Sequence, residues 1–555
     1  MRNIPVFCRN SQNEVLCPPG TTLAQLAQLA DLRPERPFLV AFVNHKLKDL
    51  AYEIYKPCNV HFIDLTNIDG LRAYVRSLSF LLQKALHELY PQKRMILDYT
   101  VSNGLFGVFE GEIAQIQELE NLTQKMRELV ARKIPFVRYR KPLKEATALF
   151  RSVGKNEKAT LLETRKSFYA SVYYLDNYPD SYFGPLVPDT SLLQTFGLIP
   201  FHHGFLLQYP GRGEYDNIKP RIRQDKLFSV FEEHSDWCGI IGAKYISTIN
   251  SVVQDDRAAA NMIMVSEALH ERKYAQIADE LYKRRKELKL ALIAGPSSSG
   301  KTTTSKRLAL HARVVGLHPV VMELDNYFVD RDNTPRDAHG DFDFEALNAL
   351  DLNFLNEQLT ALFRGEEVDL PTFNFAKGQR EFLGNRMRLR DKDILIMEGI
   401  HGLNPKLTEA IPSAHKYKIY ASALTSLSLD ENNRVFTTDN RLLRRIVRDS
   451  QFRGVSAEDT ILRWPSVRLG EDNNIFPFQE GADIMFNSAL LYELPVLRFF
   501  AEPLLRRIPP TSPAAPEAYR LLKFLHYIEF MLPAHFRHIP PVSVLREFIG
   551  NSGLT

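Results

Sequence analysis

The stretch Gly295-Pro296-Ser297-Ser298-Ser299-Gly300-Lys301-Thr302 fits the pattern G-x-x-x-x-G-K-[ST] without a gap. Its flanks carry as much information as the match. Leu288 to Ala294 is a short apolar run that reads as a buried strand, and Thr303 to Val315 reads as a helix closed by Gly316. Strand, glycine turn and helix aim successive backbone N–H groups at one point, an arrangement suited to a phosphate. Gly295, Ser297, Ser298, Ser299, Gly300, Lys301, Thr302 and Thr303 are the candidate nucleotide contacts. Lys301 would reach the β- and γ-phosphates of ATP, and the Thr302 hydroxyl would ligate Mg²⁺. The competing reading is a chance match in a Ser/Gly-rich turn, and the flanking strand and helix weigh against it.

Working outward, apolar runs at 288–294, 319–324, 393–397, 416–420 and 482–486 alternate with helical segments. That alternation predicts an α/β fold with a mostly parallel sheet and helices on both faces. Ligands in such sheets sit at the carboxyl ends of the strands. The second run ends in Glu323-Leu-Asp325-Asn-Tyr-Phe328, so Asp325 is expected beside the loop, able to take a proton from an attacking hydroxyl. A turn or N-cap Asp is the competing reading. The third run, Ile394-Leu-Ile-Met-Glu398-Gly399, resembles a Walker B strand, with Glu398 holding the metal or its waters. Further on, Arg441, Arg445 and Arg448 fall at i, i+4 and i+7 on one helix face, with Arg444 and Arg453 nearby. They read either as a lid that stabilises charge on a transferring phosphoryl group or as an ordinary solvated basic face.

The 555 residues exceed one core, so several domains are expected. A net charge of +4 does not argue for a nucleic-acid protein, although a local basic face remains open. Cys8, Cys17, Cys58 and Cys238 show no C-x-x-C spacing and are expected to be reduced thiols of a cytoplasmic protein. Neither a signal core nor an apolar membrane span is read in the sequence.

Ahead of the loop, Val40–Val43 and 60–63 read as strands and Thr21 to Leu29 as a helix, which would suit a β-grasp unit over 1–66. Residues 71–89 form an amphipathic helix stopped by Pro91. Residues 95–110 are predicted as strands around Asn103-Gly104, 111–132 as helix, and 170–210 as sheet and loops. A helix over roughly 258–286 ends in Lys283-Arg-Arg-Lys286, which the helix dipole favours. Residues 509–516 are expected to be a stiff linker before a last helical segment. The resulting division is 1–66, 70–250, a connecting helix over 255–287, 288–508 and 517–555.

Residues 288–500 resemble uridine kinases and phosphoribulokinases. The resemblance rests on Gly295 to Thr302, Asp325-Asn-Tyr-Phe328, Asp343-Phe-Glu345, Pro371 to Arg380, Glu398-Gly399 and Arg441 to Asp449, in that order. It implies that Asp325 is the base for a nucleoside 5′-hydroxyl and Glu345 holds the ribose. The acceptor site then includes Phe328, Phe373, Lys377, Arg380 and Arg453. The P-x-Y-D-F-x-x-H-x-R stretch of uridine kinases reads here with Phe373 for Tyr and Gly378 for His. The base-reading groups are therefore altered. A roomier, less polar pocket is expected there, with Lys377 or Gln379 supplying replacement contacts.

Residues 1–66 resemble a TGS domain, and 70–250 the second additional domain of threonyl-tRNA synthetases, notably at Leu81-Leu82 to Tyr90-Pro91 and Tyr182-Phe-Gly184-Pro185-Leu-Val187. The zinc and editing positions of that domain hold Phe80, Lys84, Tyr182 and Leu186, which form no zinc ligand set. His202-His203, expected on a strand, would point to opposite faces. The resemblance implies a small-molecule acceptor, a nucleoside or a sugar. It leaves open RNA contact by the front half, a nucleotide-switched RNA-binding role and a homo-oligomer. No membrane partner is expected.

Overall fold

The computed structural model describes residues 3–165, 167–336, 340, 342–374, 377–390 and 392–554. The phosphate-loop strand, Leu290–Ala294, is the centre of a five-stranded sheet. The order across it is His318–Glu323, Asp393–Glu398, Leu290–Ala294, Lys416–Ser422, Ile484–Asn487, and every pairing is parallel. All five residues of Leu290–Ala294 are buried, as a strand covered on both faces by helices requires. One face packs on Lys301–Val314 and on Asp256–Lys283 through Tyr274, Ile277, Leu281 and Leu308. The other packs on Leu352–Phe363 through Leu355, Leu359 and Leu362.

The register sets the site. Ile293 lies opposite Glu398, and Glu398 opposite Glu323, so the loop, Glu398 and the turn carrying Asp325 leave the sheet at one edge.

Ahead of this domain, Ile4–Cys8 pairs antiparallel with Asn13–Cys17 and parallel with Cys58–Ile63. The five-stranded sheet they belong to carries the helix Leu23–Leu29, started by a Thr22/Gln25 capping box. This is the β-grasp arrangement. Next, the helix Ile68–Leu89 lies with a four-stranded antiparallel sheet, and Phe136–Pro142, Tyr169–Leu175 and Tyr178–Asp180 form a separate one. The hairpin turn sits one residue earlier than its Asn-Gly signal suggests. Val101 pairs with Gly104, and Ser102 and Asn103 both take positive φ, 53° and 63°, as a two-residue turn of this hand needs.

The C-terminal stretch does not trail behind a stiff linker. Ala515–Leu525 buries Leu521 and Leu525 in the same core as Leu442 and Ile446 of Thr437–Phe452 and Leu497 of Glu493–Arg506. The chain then returns to the phosphate loop. Among the described residues no helix is long and apolar enough to cross a membrane, and all four cysteines are free thiols.

Candidate active site

Two glycines let the loop fold. A Cβ on Gly295 would lie 1.9 Å from the Ala421 carbonyl oxygen. Gly300 has φ +83° and abuts Val544, 2.3 Å from where a Cβ would stand. Between them Ser298 also takes a positive φ, 59°. The loop's carbonyls face outward onto donors: Arg441 to Ser297 O at 3.2 Å, Arg444 to Ser298 O at 3.4 Å, and Ser488 Oγ to Ser299 O at 2.5 Å. The hydroxyls of Ser298 and Ser299 are buried with no hydrogen-bond partner among the described residues. Buried orphan hydroxyls are costly unless a ligand completes them, and a phosphate oxygen suits both.

Two carboxylates already sit on the loop's donors. Glu471 accepts from Ser297 N at 2.9 Å, and Glu547 accepts from Thr303 N at 3.2 Å and Thr303 Oγ1 at 2.7 Å. Neither is visible as a local pattern. They lie 174 and 244 residues from their partners.

Lys301 Nζ donates to Pro296 O at 3.3 Å, and Thr302 Oγ1 donates to Glu398 at 2.7 Å. Burial pushes the Glu398 carboxyl up to about 7; Lys301 opposes the shift and Asp325 adds to it. A hydroxyl beside a carboxylate at the loop's helix start is an oxygen donor pair of the kind Mg²⁺ takes, so these residues fit the metal. Gly399 follows because a Cβ there would lie 2.6 Å from Leu324, the first residue of the Asp325 turn. Asp325 itself opens onto the cleft. The crowding of protein around it raises its pKa, against the pull of Lys301, Arg453 and Arg448. Burial pushes Glu345 up to about 7, with Arg445 opposing and Glu471 and Asp325 reinforcing. Lys301, Asp325, Glu345 and Glu398 therefore share one electrostatic site.

The arginines form two groups, not one lid stripe. Arg441 is fully buried in an ion pair with Glu471, its Nη2 2.7 Å from the carboxylate, and supports the loop from behind. It is neither a solvated face nor a closing lid. Arg444 is likewise buried against Glu493. Arg445 reaches the loop, donating to Ser297 Oγ at 2.8 Å. Buried Asp449 gathers Arg445 at 3.2 Å, Arg448 at 2.9 Å and Arg453 at 3.8 Å.

On the acceptor side, Phe328 and Phe373 are buried edge to face, ring centroids 5.6 Å apart. Arg380 pairs with Asp351 at 3.0 Å, whereas Lys377 is exposed and paired with Glu381 at 2.8 Å. The space expected to be roomier is not open beside Gly378. Gly378 has φ +69°, and a Cβ would lie 2.7 Å from Arg331 Nε, so an arginine occupies that space. Phe375 of the same stretch lies outside the described residues.

In the front half, Phe80 packs against Tyr182 with centroids 5.4 Å apart. Lys84 bonds to Glu88 and Asn177, both at 2.9 Å, and Leu186 is fully buried. These four positions are committed to packing and pairing. His202 and His203 lie in the turn between Gly197–Phe201 and Gly204–Gln208, not on a strand; His202 stacks on Phe228, and His203 approaches Glu232 at 3.2 Å.

The parallel sheet and its loop define a P-loop kinase fold. Residues 291–491 match the Phosphoribulokinase / Uridine kinase family. The N-terminal part is similar to threonine–tRNA ligases. That of Methylococcus capsulatus is 31% identical over 180 residues, covering 32% of this chain and 28% of the ligase. This chain thus spans little more than a quarter of that relative. Among solved structures, a chain named as a fructose transport system kinase from Silicibacter sp. TM1040 has 19% identity and a TM-score of 0.29, covering 38% of this chain and 98% of that one. A possible uridine kinase from Bacillus stearothermophilus has 18% identity and a TM-score of 0.27, covering 39% and 98%.

Proposed function

We propose that this protein transfers the γ-phosphoryl group of ATP to the 5′-hydroxyl of a nucleoside. The observation that carries the reading is the meeting of Asp325, Glu345 and Glu398 around Lys301 at one sheet edge. The loop amides of 295–303 and Lys301 hold the phosphates. Thr302 and Glu398 would hold Mg²⁺, which when bound offsets phosphate charge. Asp325 takes the proton of the attacking hydroxyl, and Glu345 accepts hydrogen bonds from the ribose. Arg445, Arg448 and Arg453 are steadied by Asp449 and face the transferring group. Arg441 acts through the loop it braces. Most of the acceleration then comes from positioning and fixed charge.

A second reading, transfer to a non-nucleoside sugar, is favoured by Arg331 filling the space beside Gly378, where uridine kinases carry the His of the base-reading stretch. The similarity of the front half to threonine–tRNA ligases supports a third, nucleotide-switched RNA binding. The free cysteines suit a reducing cytoplasm.

The test is kcat/KM for ATP turnover with uridine, cytidine, thymidine, purine nucleosides and ribulose 5-phosphate, then with tRNA. Stimulation by one nucleoside class supports the proposal. Stimulation by ribulose 5-phosphate alone selects the sugar reading, and by tRNA alone the regulator. In Asp325→Asn, kcat should fall about 10²–10⁴-fold with ATP affinity kept. A change in ATP affinity alone would make Asp325 a residue of the metal's surroundings.

A further inference from the structure

A cavity of about 470 Å³, sharing no lining residue with the phosphate loop, lies where the β-grasp unit, the synthetase-like region, the kinase domain and the helix Ala515–Leu525 meet. Its wall is strongly cationic, and among the described residues the only carboxylate lining it is Asp69. Four of the cations are already neutralised, Arg506 among them by Glu502 at 2.6 Å. Arg72 pairs with Asp69 at 3.0 Å, Arg138 with Asp49 at 3.0 Å, and Arg520 with Asp439 and Glu517, both at 2.7 Å. Four others, Lys46, Lys48, Arg76 and Lys523, line the same space with no carboxylate within 4.0 Å among the described residues.

Two of those four are held in place by neutral groups of one loop. Arg76 donates to Pro185 O through Nε at 3.2 Å and Nη2 at 2.9 Å, and Lys523 donates to Phe183 O at 2.5 Å. Gly184 makes this possible, since a Cβ there would lie 2.5 Å from the Arg76 guanidinium carbon. The cations are thus preorganised yet unneutralised. Crowding drives Lys523 down to about 7, with Arg76, Arg138, Arg165 and Lys48 adding to the effect of burial. Like charges gathered around one space repel unless something offsets them. The remaining wall is aromatic, including Phe183, Phe436 and Tyr519, with Lys46 Nζ 5.1 Å from the Tyr519 ring centre.

We infer that this cavity is a second binding site, separate from the phosphate loop, for a nucleotide-sized small molecule carrying two or more phosphate groups. Four unpaired cations call for several negative charges, and guanidinium and ammonium donors match phosphate oxygens. The volume is that of a small-molecule pocket. The cavity opens to the surface at Lys46 and Lys523, and Phe436 and Arg506 of the kinase domain complete its lining.

The experiment is calorimetric titration of inorganic tripolyphosphate, and in parallel of ATP and GTP, into the full chain carrying Lys301→Ala. One equivalent of tripolyphosphate should bind. The double variant Lys48→Gln/Lys523→Gln, at accessible rim positions, should weaken it at least about tenfold, because each change removes a charge-assisted hydrogen bond. Lys46→Gln, a milder exposed variant, should weaken it several-fold, and melting curves check that each variant is folded. Tighter binding of one nucleoside triphosphate than of tripolyphosphate would assign the aromatic wall to a base. Equal binding would assign recognition to the phosphates alone. The proposal is overturned by no saturable binding at 1 mM tripolyphosphate, by binding that folded variants leave unchanged, or by binding of a 20-nucleotide RNA without binding of tripolyphosphate.

Discussion

Lys301 and Glu547 make opposite demands on the phosphate loop. Among the described residues the Lys301 ammonium has one hydrogen-bond partner, Pro296 O at 3.3 Å, so little opposes its transfer to a phosphate. Lys301→Ala should therefore abolish phosphoryl transfer while the melting temperature stays close to wild type. Near-normal turnover would place the active site elsewhere. Glu547, by contrast, puts a carboxylate on Thr303 N and Oγ1, donors at the positive end of the loop helix that a nucleotide phosphate would use. ATP must share or displace it. Glu547→Gln keeps the shape and removes the charge. The expected outcome is ATP binding several-fold tighter, at a cost of about 1 kcal/mol in stability from the weakened cap. Titration calorimetry and a melting curve measure the two. Weaker ATP binding in the variant would show that Glu547 supports the loop instead of competing with its ligand.

At the scale of elements, the helix Ala457–Asn474 packs against Glu345, to which the proposed function assigns the acceptor. Gly470 sits inside it, where Ala would ordinarily favour the helix by about 1 kcal/mol. A Cβ there would lie 2.4 Å from Glu345 Cβ and 2.8 Å from its Cγ. Gly470→Ala should raise the KM of the acceptor about tenfold or more, because small displacements of a positioning group are costly, and leave the KM for ATP unchanged. Equal effects on both would mean that the helix moved as a whole. Glu345 also carries a pH signature. Its folded pKa, about 7, exceeds its ordinary 4.5, so the folded chain holds the proton more tightly. Its contribution to stability is complete below 4.5 and is lost as pH rises to about 7. Glu345→Gln lacks that loss, so its melting temperature should gain on wild type between pH 4.5 and 7 and run parallel above. A constant difference across the range would remove Glu345 from the crowded site.

Elements of this kind divide into those a sequence shows and those it hides. The five parallel strands are short apolar runs between turns, and the loop's glycines announce themselves by type and spacing. Asp325 and Glu398 followed because a strand's end is also the sheet's edge. Periodicity placed the arginines on one helix but could not say what faced them. Arg441 meets Glu471, which is 30 residues on, and the two back Ser297, 144 and 174 residues earlier in the chain. The grip of Glu547 and the filling of the Gly378 space by Arg331 are equally contacts of folding and leave no local pattern. The hairpin signal Asn103-Gly104 misled by one residue, since Asn tolerates positive φ and Gly104 was needed in the strand opposite Val101.

For the whole molecule, the question is whether the synthetase-like region and the kinase domain fold as one unit. Their junction is polar and buried. Asp180 lies between Lys155, 2.8 Å away, and Lys158, and the two lysines hold its carboxyl at about 2 against the opposing effect of burial. From the kinase domain, Asn432 donates to Asp180 at 3.1 Å, Asn433 donates to Ser181 O at 3.1 Å, and Asp430 approaches Lys158 at 3.6 Å. Tyr182 donates to the same Asp180 at 3.1 Å. Tyr182 and Asp180 thus belong to a fastening between the two domains. Purified full-length protein should accordingly hold no stoichiometric zinc by elemental analysis. Asp180→Ala leaves two buried ammonium groups facing each other, which costs about 3–5 kcal/mol in comparable buried pairs. If the fastening joins the halves, calorimetry should show one transition moving down as a whole, kinase domain included, with ATP raising it in both wild type and variant. A variant scan that splits into a lowered transition and an unmoved, ATP-sensitive one would show that the kinase domain folds without regard to the region in front of it.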